Sequence, residues 1–174
     1  MNTLIPFELC LGHKKSARHP SVKPYLLSKQ YPIDVFNPSV VSESVEQARH
    51  CIRNTSGPIW WVGEHKWERI LSDFQTATGD FVINRRWPAG LLTNFEMHAN
   101  APARINDKSL EFPSLLVVLS VHRCPNVIKE AHRTHVPVVG VVDTNANFNA
   151  VNVPIFANDD GLATTQWLLD RLRR

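Results

Sequence analysis

The 174-residue chain has few cysteines and no long apolar run. Its three cysteines, Cys10, Cys51 and Cys124, are odd in number and form no C-x-x-C pair. This usage argues against a disulfide scaffold and predicts a reducing compartment. The longest apolar run, Leu115–Val121, is interrupted by Ser120 and is far shorter than the roughly 20 residues that a membrane span requires. The sequence therefore predicts no transmembrane segment.

Sequence signatures of nucleotide binding and of nucleophilic hydrolysis are also missing. The pattern G-x-x-x-x-G-K-[ST] does not occur, and the turn after Val62 has one glycine where a dinucleotide fingerprint requires three. No G-x-S-x-G elbow is present. A small α/β enzyme or a nucleotide-binding domain therefore remains only as an alternative hypothesis, with its site around His65, His122 and Asp143.

Potential metal ligands occur close together in the sequence, but not at the spacing of a structural zinc site. The close pairs are Cys10 and His13, His122 and Cys124, and His132 and His135. We therefore expect no metal and no cofactor. Cys51 and Cys124 are interpreted as small buried apolar groups.

Positive charge is concentrated at the amino end. The formal net charge is +3, yet residues 1–30 alone sum to +4, with Glu8 as their one acid. The cations of this segment are Lys14, Lys15, Arg18, Lys23 and Lys29. Its prolines and weak periodicity predict an extended basic arm that is poorly ordered in the isolated protein and folds on binding. Such an arm is typical of a polyanion partner, although a solvated terminus has the same composition.

Beyond the arm, apolar segments of strand length alternate with helical segments. Strands are predicted over 33–36, 59–62, 81–83, 115–121, 136–142 and 153–156. Helices are predicted over 39–53, 67–77 and 126–135, with a last helix that is capped by Asn158 or Asp159 and buries Leu162. This alternation predicts βαβ units. We expect one α/β domain over 31–174: a doubly wound, mostly parallel sheet flanked by helices, a Rossmann-like or flavodoxin-like three-layer sandwich.

The loop Asn84–Gly90 has an unusual composition for a core segment. It places Arg85 and Arg86 beside Trp87, followed by a Pro-x-Gly bend. Guanidinium groups pair well with phosphate, and an indole can stack on an unpaired base. The alternative is that Trp87 fills a gap in the core and that the arginines reach acids such as Asp80. On this loop alone, both interpretations stay open.

A family resemblance begins at the same loop. Asn84–Phe95 resembles the N-R-R-W-x-G-G-x-L-T-N-F signature of small-subunit ribosomal protein number two (ribosomal protein S-2) of bacteria and organelles. Further blocks match in the same order: Leu11–Lys14, Pro20–Tyr25, Ile59–Gly63, Lys129–Ala131, Val136–Val139, Asp143–Asn145 and Pro154–Asp160. The ordered set covers almost the whole chain, which makes the resemblance specific.

The chain departs from the family pattern at three places. Ala89 stands where the first of two glycines is usual, and Asn147–Asn149 replace an acidic D-P-D. Only some 19 residues separate Phe95 from Leu115, too few for the family's long helical hairpin at about 1.5 Å per residue. Residues 99–112 are therefore interpreted as a shortened remnant of that insertion.

The resemblance implies a structural constituent of the small ribosomal subunit that supports translation and has no catalytic role. Its expected partners are small-subunit rRNA and neighbouring ribosomal proteins, with no membrane and no homo-oligomer. The expected RNA contacts are Lys14, Lys15, Arg18, His19, Lys23, Arg85, Arg86, Trp87 and Asn94. The segment Asp143–Asn145 is expected to be structural, with its carboxylate and amide bound to backbone N–H groups of the next loop.

The shortened insertion favours an organellar member, and we expect the mitochondrial matrix, with a plastid or a bacterial cytoplasm as alternatives. The Gly12-His13 block begins after about ten residues, fewer than an ordinary cleavable transit peptide has. An organelle-encoded chain, a processed form and an internal import signal are all consistent with this expectation.

Overall fold

A computed structural model describes residues 5–27, 32–99 and 110–174. The strands in this part of the chain are β1 (Leu11–Lys14), β2 (Ile33–Val35), β3 (Ile59–Val62), β4 (Phe81–Ile83), β5 (Leu115–Val118), β6 (Val138–Val142) and β7 (Val153–Phe156). The α-helices are α1 (Pro38–Asn54), α2 (Glu68–Thr78), α3 (Phe95–Ala99), α4 (Pro125–Arg133) and α5 (Leu162–Leu172). Short 3-10 turns lie at Phe7–Cys10, Lys15–Ala17, Pro20–Tyr25 and His65–Trp67.

The main sheet has five parallel strands in the order β4-β3-β5-β6-β7. The chain runs outward from β3 to β4, returns to β5 on the other side of β3, and continues to β6 and β7. This reversal of direction makes the sheet doubly wound, so the predicted fold class is confirmed. All residues of β3, β5 and β6 are buried, as expected for strands covered by helices on both faces.

Two successive tryptophans of β3 show which elements cover each face. Trp61 packs against Phe74 of α2, with ring centroids 4.6 Å apart. Trp60 packs against Phe81 at 4.8 Å and against Phe95 of α3 at 6.2 Å. Because successive strand residues point to opposite faces, α2 and α3 cover opposite faces. The crossovers through α2 and α4 run in opposite directions, and right-handed crossovers then place α4 on the face of α3.

Local sequence signals set most element ends. Asn37 caps α1, because its side chain accepts a hydrogen bond from the Ser39 backbone N–H at 3.0 Å. Gly79 ends α2 with φ +75°, the left-handed conformation that favours glycine. The expected Asn158 or Asp159 cap of α5 is wrong: Gly161 holds that position, and Leu162 is 59% exposed rather than packed.

The expected extended conformation is wrong for residues 5–27, which pack on the rest of the protein, whereas the order of this segment in the isolated protein stays a prediction. Phe7–Cys10 form a 3-10 turn, and β1 pairs with β2 in an antiparallel two-stranded sheet. Leu9 and Val22 are 0% exposed, and the Asn158 backbone N–H donates to the Leu9 carbonyl at 2.9 Å. These buried side chains supply the apolar anchors that the sequence pattern did not reveal. The segment therefore packs on the domain that begins at β2.

The interpretation of residues 99–112 as a shortened hairpin falls mostly outside the described residues. Before them, α3 is a five-residue helix that the sequence pattern did not predict. In the described ranges, no helix has the length and apolar character needed to cross a membrane.

Candidate nucleic-acid interface

The loop between β4 and α3 is fixed to α4 by a buried carboxylate. Glu130, only 8% exposed, accepts hydrogen bonds from the backbone N–H groups of Gly90 at 2.8 Å and Leu92 at 3.1 Å. Leu91 and Leu92 are buried in the core. Gly90 has φ +83°, whereas Ala89 is not among the described residues with positive φ. The turn therefore accepts an alanine where the family usually has its first glycine.

Arg85 and Arg86 are both exposed on this loop. Neither forms an ion pair with a carboxylate in the described ranges. Asp80, the acid that was considered as their partner, instead accepts a hydrogen bond from Trp61 Nε1 at 3.0 Å. The two guanidinium groups are thus free of Asp80 and face solvent.

Trp87 and Asn94 have different environments on the same segment. The Trp87 side chain is half-buried against the core, and its Nε1 is buried without an acceptor among the described residues. The indole of Trp87 therefore fills part of the core, as one of the two interpretations of this loop predicts. Asn94 is exposed, and its backbone N–H donates to the Gly90 carbonyl at 2.7 Å.

The basic residues of the amino-terminal segment differ in how far they are exposed. Lys14, Lys15 and Lys23 are exposed. Arg18 instead pairs with buried Asp34 through two guanidinium nitrogens, and its Nε lies 2.7 Å from Asp34 Oδ2. This side-chain hydrogen bond raises the pKa of Arg18. The sequence places Arg18 among the RNA contacts, whereas the structure places its guanidinium in an intramolecular ion pair.

His19 also makes contacts within the chain. Its Nδ1 accepts a hydrogen bond from the Ser21 backbone N–H at 3.4 Å and lies 2.7 Å from the Ser21 hydroxyl. The backbone N–H of His19 donates to the Thr144 carbonyl at 2.8 Å. His19 therefore helps to attach the amino-terminal segment to the end of β6.

The carboxyl ends of the parallel strands carry a polar cluster, at the edge where α/β proteins bind ligands. Asp143 follows β6 and is 0% exposed. Its Oδ1 accepts a hydrogen bond from the Thr144 backbone at 2.5 Å, and its Oδ2 lies 3.3 Å from His13 Nδ1. His65 instead pairs with Glu68 at 3.2 Å on the surface, and His122 is exposed. Asp143 thus meets His13, which sequence reasoning missed.

The same edge is crossed by ion pairs between loops. Arg123, after β5, binds Glu64 at 2.8 Å and also binds Asp160. Lys66 lies 3.5 Å from each of these two acids. Burial alone would raise the pKa of Asp160, but the charges of Arg123, Lys66 and His13 lower it. The positive charges of Arg123 and Lys66 therefore balance the negative charges of Glu64 and Asp160 at this edge.

Buried carboxyls lie beneath these ion pairs. Burial raises the pKa of Asp143 to about 6, and the charge of Asp159 adds to that increase while the charge of His13 opposes it. Burial also raises the pKa of Asp159, whose Oδ2 accepts a hydrogen bond from the Ser120 hydroxyl at 2.5 Å. Asp143 is therefore a buried side chain with one oxygen on the Thr144 backbone and the other beside His13, and in the described ranges it pairs with neither His65 nor His122, the bases that the enzyme hypothesis requires.

Three residues that do not form any of the predicted pairs of neighbouring ligands could together hold a metal ion. Ligand atoms of His13, Asp143 and Asp160 lie within 4.8 Å of one another. The spacing of these residues along the chain gave no indication of the cluster, although each belongs to one of the blocks that carry the family resemblance. Cys124 is not part of this cluster, and burial raises the pKa of its thiol to about 11.

The sequence as a whole matches the family described as Ribosomal protein S2 over residues 4–110 and 103–174. The chain belongs to the ribosomal protein S2 family. Members of this family are structural proteins of the small ribosomal subunit, where they lie with rRNA and other ribosomal proteins, and the family is not an enzyme family. The two matched segments overlap over residues 103–110, which lie between Phe95 and Leu115.

Proposed function

We propose that this member of the ribosomal protein S2 family binds rRNA as a structural component of the mitochondrial small subunit. The observation that carries the RNA-binding proposal is the exposed pair Arg85 and Arg86, on a loop whose backbone is fixed by buried Glu130. Paired guanidinium groups suit phosphate oxygens, and a fixed loop loses less conformational entropy on binding than a mobile one. Exposed Lys14, Lys15, Lys23 and Asn94 complete the proposed contact set.

The carboxyl edge of the sheet is assigned a structural role in this proposal. The Thr144 hydroxyl accepts a hydrogen bond from the His13 backbone N–H at 2.8 Å, so the amino-terminal segment lies across this edge. Arg123 and Glu64 are paired with each other there. These contacts support a closed junction between loops rather than the alternative of an enzyme or nucleotide site at Asp143.

The mitochondrial assignment is supported by the short stretch between Phe95 and Leu115, which favours an organellar member. Sedimentation of ribosomes from purified mitochondria of the source organism tests it. We expect the protein in the small-subunit peak at one copy per subunit. Its recovery from the small subunits of another compartment would contradict the mitochondrial assignment, and its absence from every small-subunit peak would contradict the ribosomal role.

The contribution of the loop to RNA binding is tested with the double variant Arg85→Ala/Arg86→Ala and full-length small-subunit rRNA transcribed in vitro. We expect weaker binding and a lower salt dependence, because fewer counterions are released when fewer phosphates are contacted. The matched control is Arg53→Ala/Arg69→Ala, which removes two exposed arginines of α1 and α2. Equal effects of the two double variants would contradict a specific role for the loop.

A further inference from the structure

The exposed face of α4 is basic and carries no acid. Asn126, Lys129, His132 and Arg133 are all exposed and recur at helical spacing along one side of this nine-residue helix. The helix has one carboxylate, Glu130, and that side chain is turned inward to the loop after β4. None of the exposed cations of α4 meets a carboxylate within the described ranges.

Glu130 also joins α4 to the loop that carries Arg85 and Arg86. It lies next to Lys129 in the chain, and its two oxygens hold the backbone of Gly90 and Leu92. The loop and α4 therefore lie against each other on one face of the sheet. Because the Glu130 carboxylate is buried and hydrogen-bonded, it adds no exposed negative charge to α4 or to the loop.

We propose that α4 and the loop form one continuous phosphate-binding surface, in which Lys129 and Arg133 extend the contacts of Arg85 and Arg86 along the RNA backbone. This inference rests on the proposed RNA-binding function and adds residues to it. In this surface Glu130 is a positioning residue. It fixes the loop against the helix, so that the four cations meet the RNA as one rigid set.

A purely structural role for the α4 cations makes a different prediction. His132 and Arg133 lie in the last turn of α4, where positive charge interacts favourably with the helix dipole. If the α4 cations served only the helix, the Lys129→Ala/Arg133→Ala variant would lower the thermal stability of the protein and leave RNA binding unchanged. Binding and stability measurements on the same variant therefore separate the two roles.

The experiment compares Lys129→Ala/Arg133→Ala with the control Arg53→Ala/Arg69→Ala in the full chain. The probe is small-subunit rRNA transcribed in vitro, and binding is titrated over a series of salt concentrations. We expect the slope of log K against log salt to become shallower by about 1.5 for the α4 variant, as for two lost phosphate contacts. Arg53 and Arg69 belong to α1 and α2 and are not part of the proposed surface, so the control slope should not change.

The outcomes distinguish this inference from the function on which it rests. If wild-type protein binds rRNA and the α4 variant behaves like the control, the α4 surface is overturned while the RNA-binding function stands. If wild-type protein shows no salt-dependent binding, the proposed function itself fails. A variant that combines the α4 and loop substitutions adds a further test. If the cations act as one rigid set, its loss of binding free energy should differ from the sum of the two separate losses.

Discussion

The Glu130 carboxylate accepts a hydrogen bond from the backbone N–H of Gly90, 40 residues earlier in the chain, at 2.8 Å. This contact joins two of the sequence blocks that carry the family resemblance: the arginine-containing loop and the block Lys129–Ala131. It gives the glutamate a physical role, which is to satisfy two loop N–H groups from inside the protein. The side chain that holds the loop is thus distinct from the side chains that are proposed to touch RNA.

Replacing Glu130 with alanine should release the loop. Two backbone N–H groups would lose their acceptor, and we expect a loss of about 2 kcal/mol in unfolding free energy, with faster hydrogen exchange at Gly90 and Leu92. Glu130→Gln keeps one acceptor oxygen and should fall between wild type and alanine. The exposed Glu43→Ala serves as the control and should change neither quantity.

The same Glu130→Ala variant should bind rRNA more weakly with an unchanged salt slope. No cation is removed, so the number of phosphate contacts is kept, but the loop must now be ordered during binding. A shallower slope would mean that the cations themselves had been lost from the interface, which is incompatible with a positioning role.

Arg18→Ala should destabilise the fold rather than act mainly on RNA. Asp34 is 3% exposed, and removal of its partner leaves a buried charge unpaired. Because Arg18 itself is partly exposed, the unfolding free energy should fall by less than the roughly 3–5 kcal/mol of a fully buried pair, by about 2–3 kcal/mol in chemical denaturation. Lys23→Ala, a change at an exposed site in the same segment, should stay within about 0.5 kcal/mol of wild type. Equal stability of the two variants would show that the ion pair contributes little.

Gly12→Ala should detach the amino-terminal segment. A Cβ at this position would lie 2.3 Å from Thr144 Cγ2 and 2.8 Å from Thr144 Oγ1, so the backbone of β1 must move. We expect a destabilisation of about 1–3 kcal/mol and faster proteolysis within residues 5–27. Adding Thr144→Ser removes the closer methyl group and should restore part of the loss. A protease-resistant Gly12→Ala protein would indicate that the segment packs elsewhere.

Asp143→Asn should change how stability depends on pH. Burial raises the pKa of Asp143 to about 6 from 3.8, so the folded carboxyl keeps its proton where the unfolded one has lost it. Its contribution to stability is therefore complete below about pH 3.8 and is lost as pH rises to about 6, by about 3 kcal/mol in total. Urea unfolding between pH 4 and 7, with EDTA to exclude divalent cations, should show this decline in wild type relative to the variant.

The role of Asp143 is decided by comparing the stability and the assembly of this variant. Under the structural interpretation, Asp143→Asn should still enter the small subunit, with at most a modest reduction. Parallel pH profiles for the two proteins would contradict the burial argument. Loss of a measurable enzymatic activity with fold and assembly intact would support the alternative of a catalytic edge.

The sequence by itself determined the elements whose signals are local. Apolar runs predicted β3, β4 and β7 with the bounds observed. Alternation of strands and helices gave the doubly wound class, and ordered motif blocks gave the family. These features depend on side-chain periodicity and backbone conformation within a few residues, which is why the sequence pattern contains them.

Tertiary structure alone decided which polar side chains pair with other groups of the same chain. Arg18 and Arg85 are equally basic in the sequence, yet Arg18 meets a buried carboxylate, whereas Arg85 meets none in the described ranges. His13 reaches the end of β6 across 131 residues, through its backbone bond to Thr144. Such pairings depend on how distant segments pack, because a charge is neutralised by whatever lies beside it in space, and no local pattern specifies that neighbour.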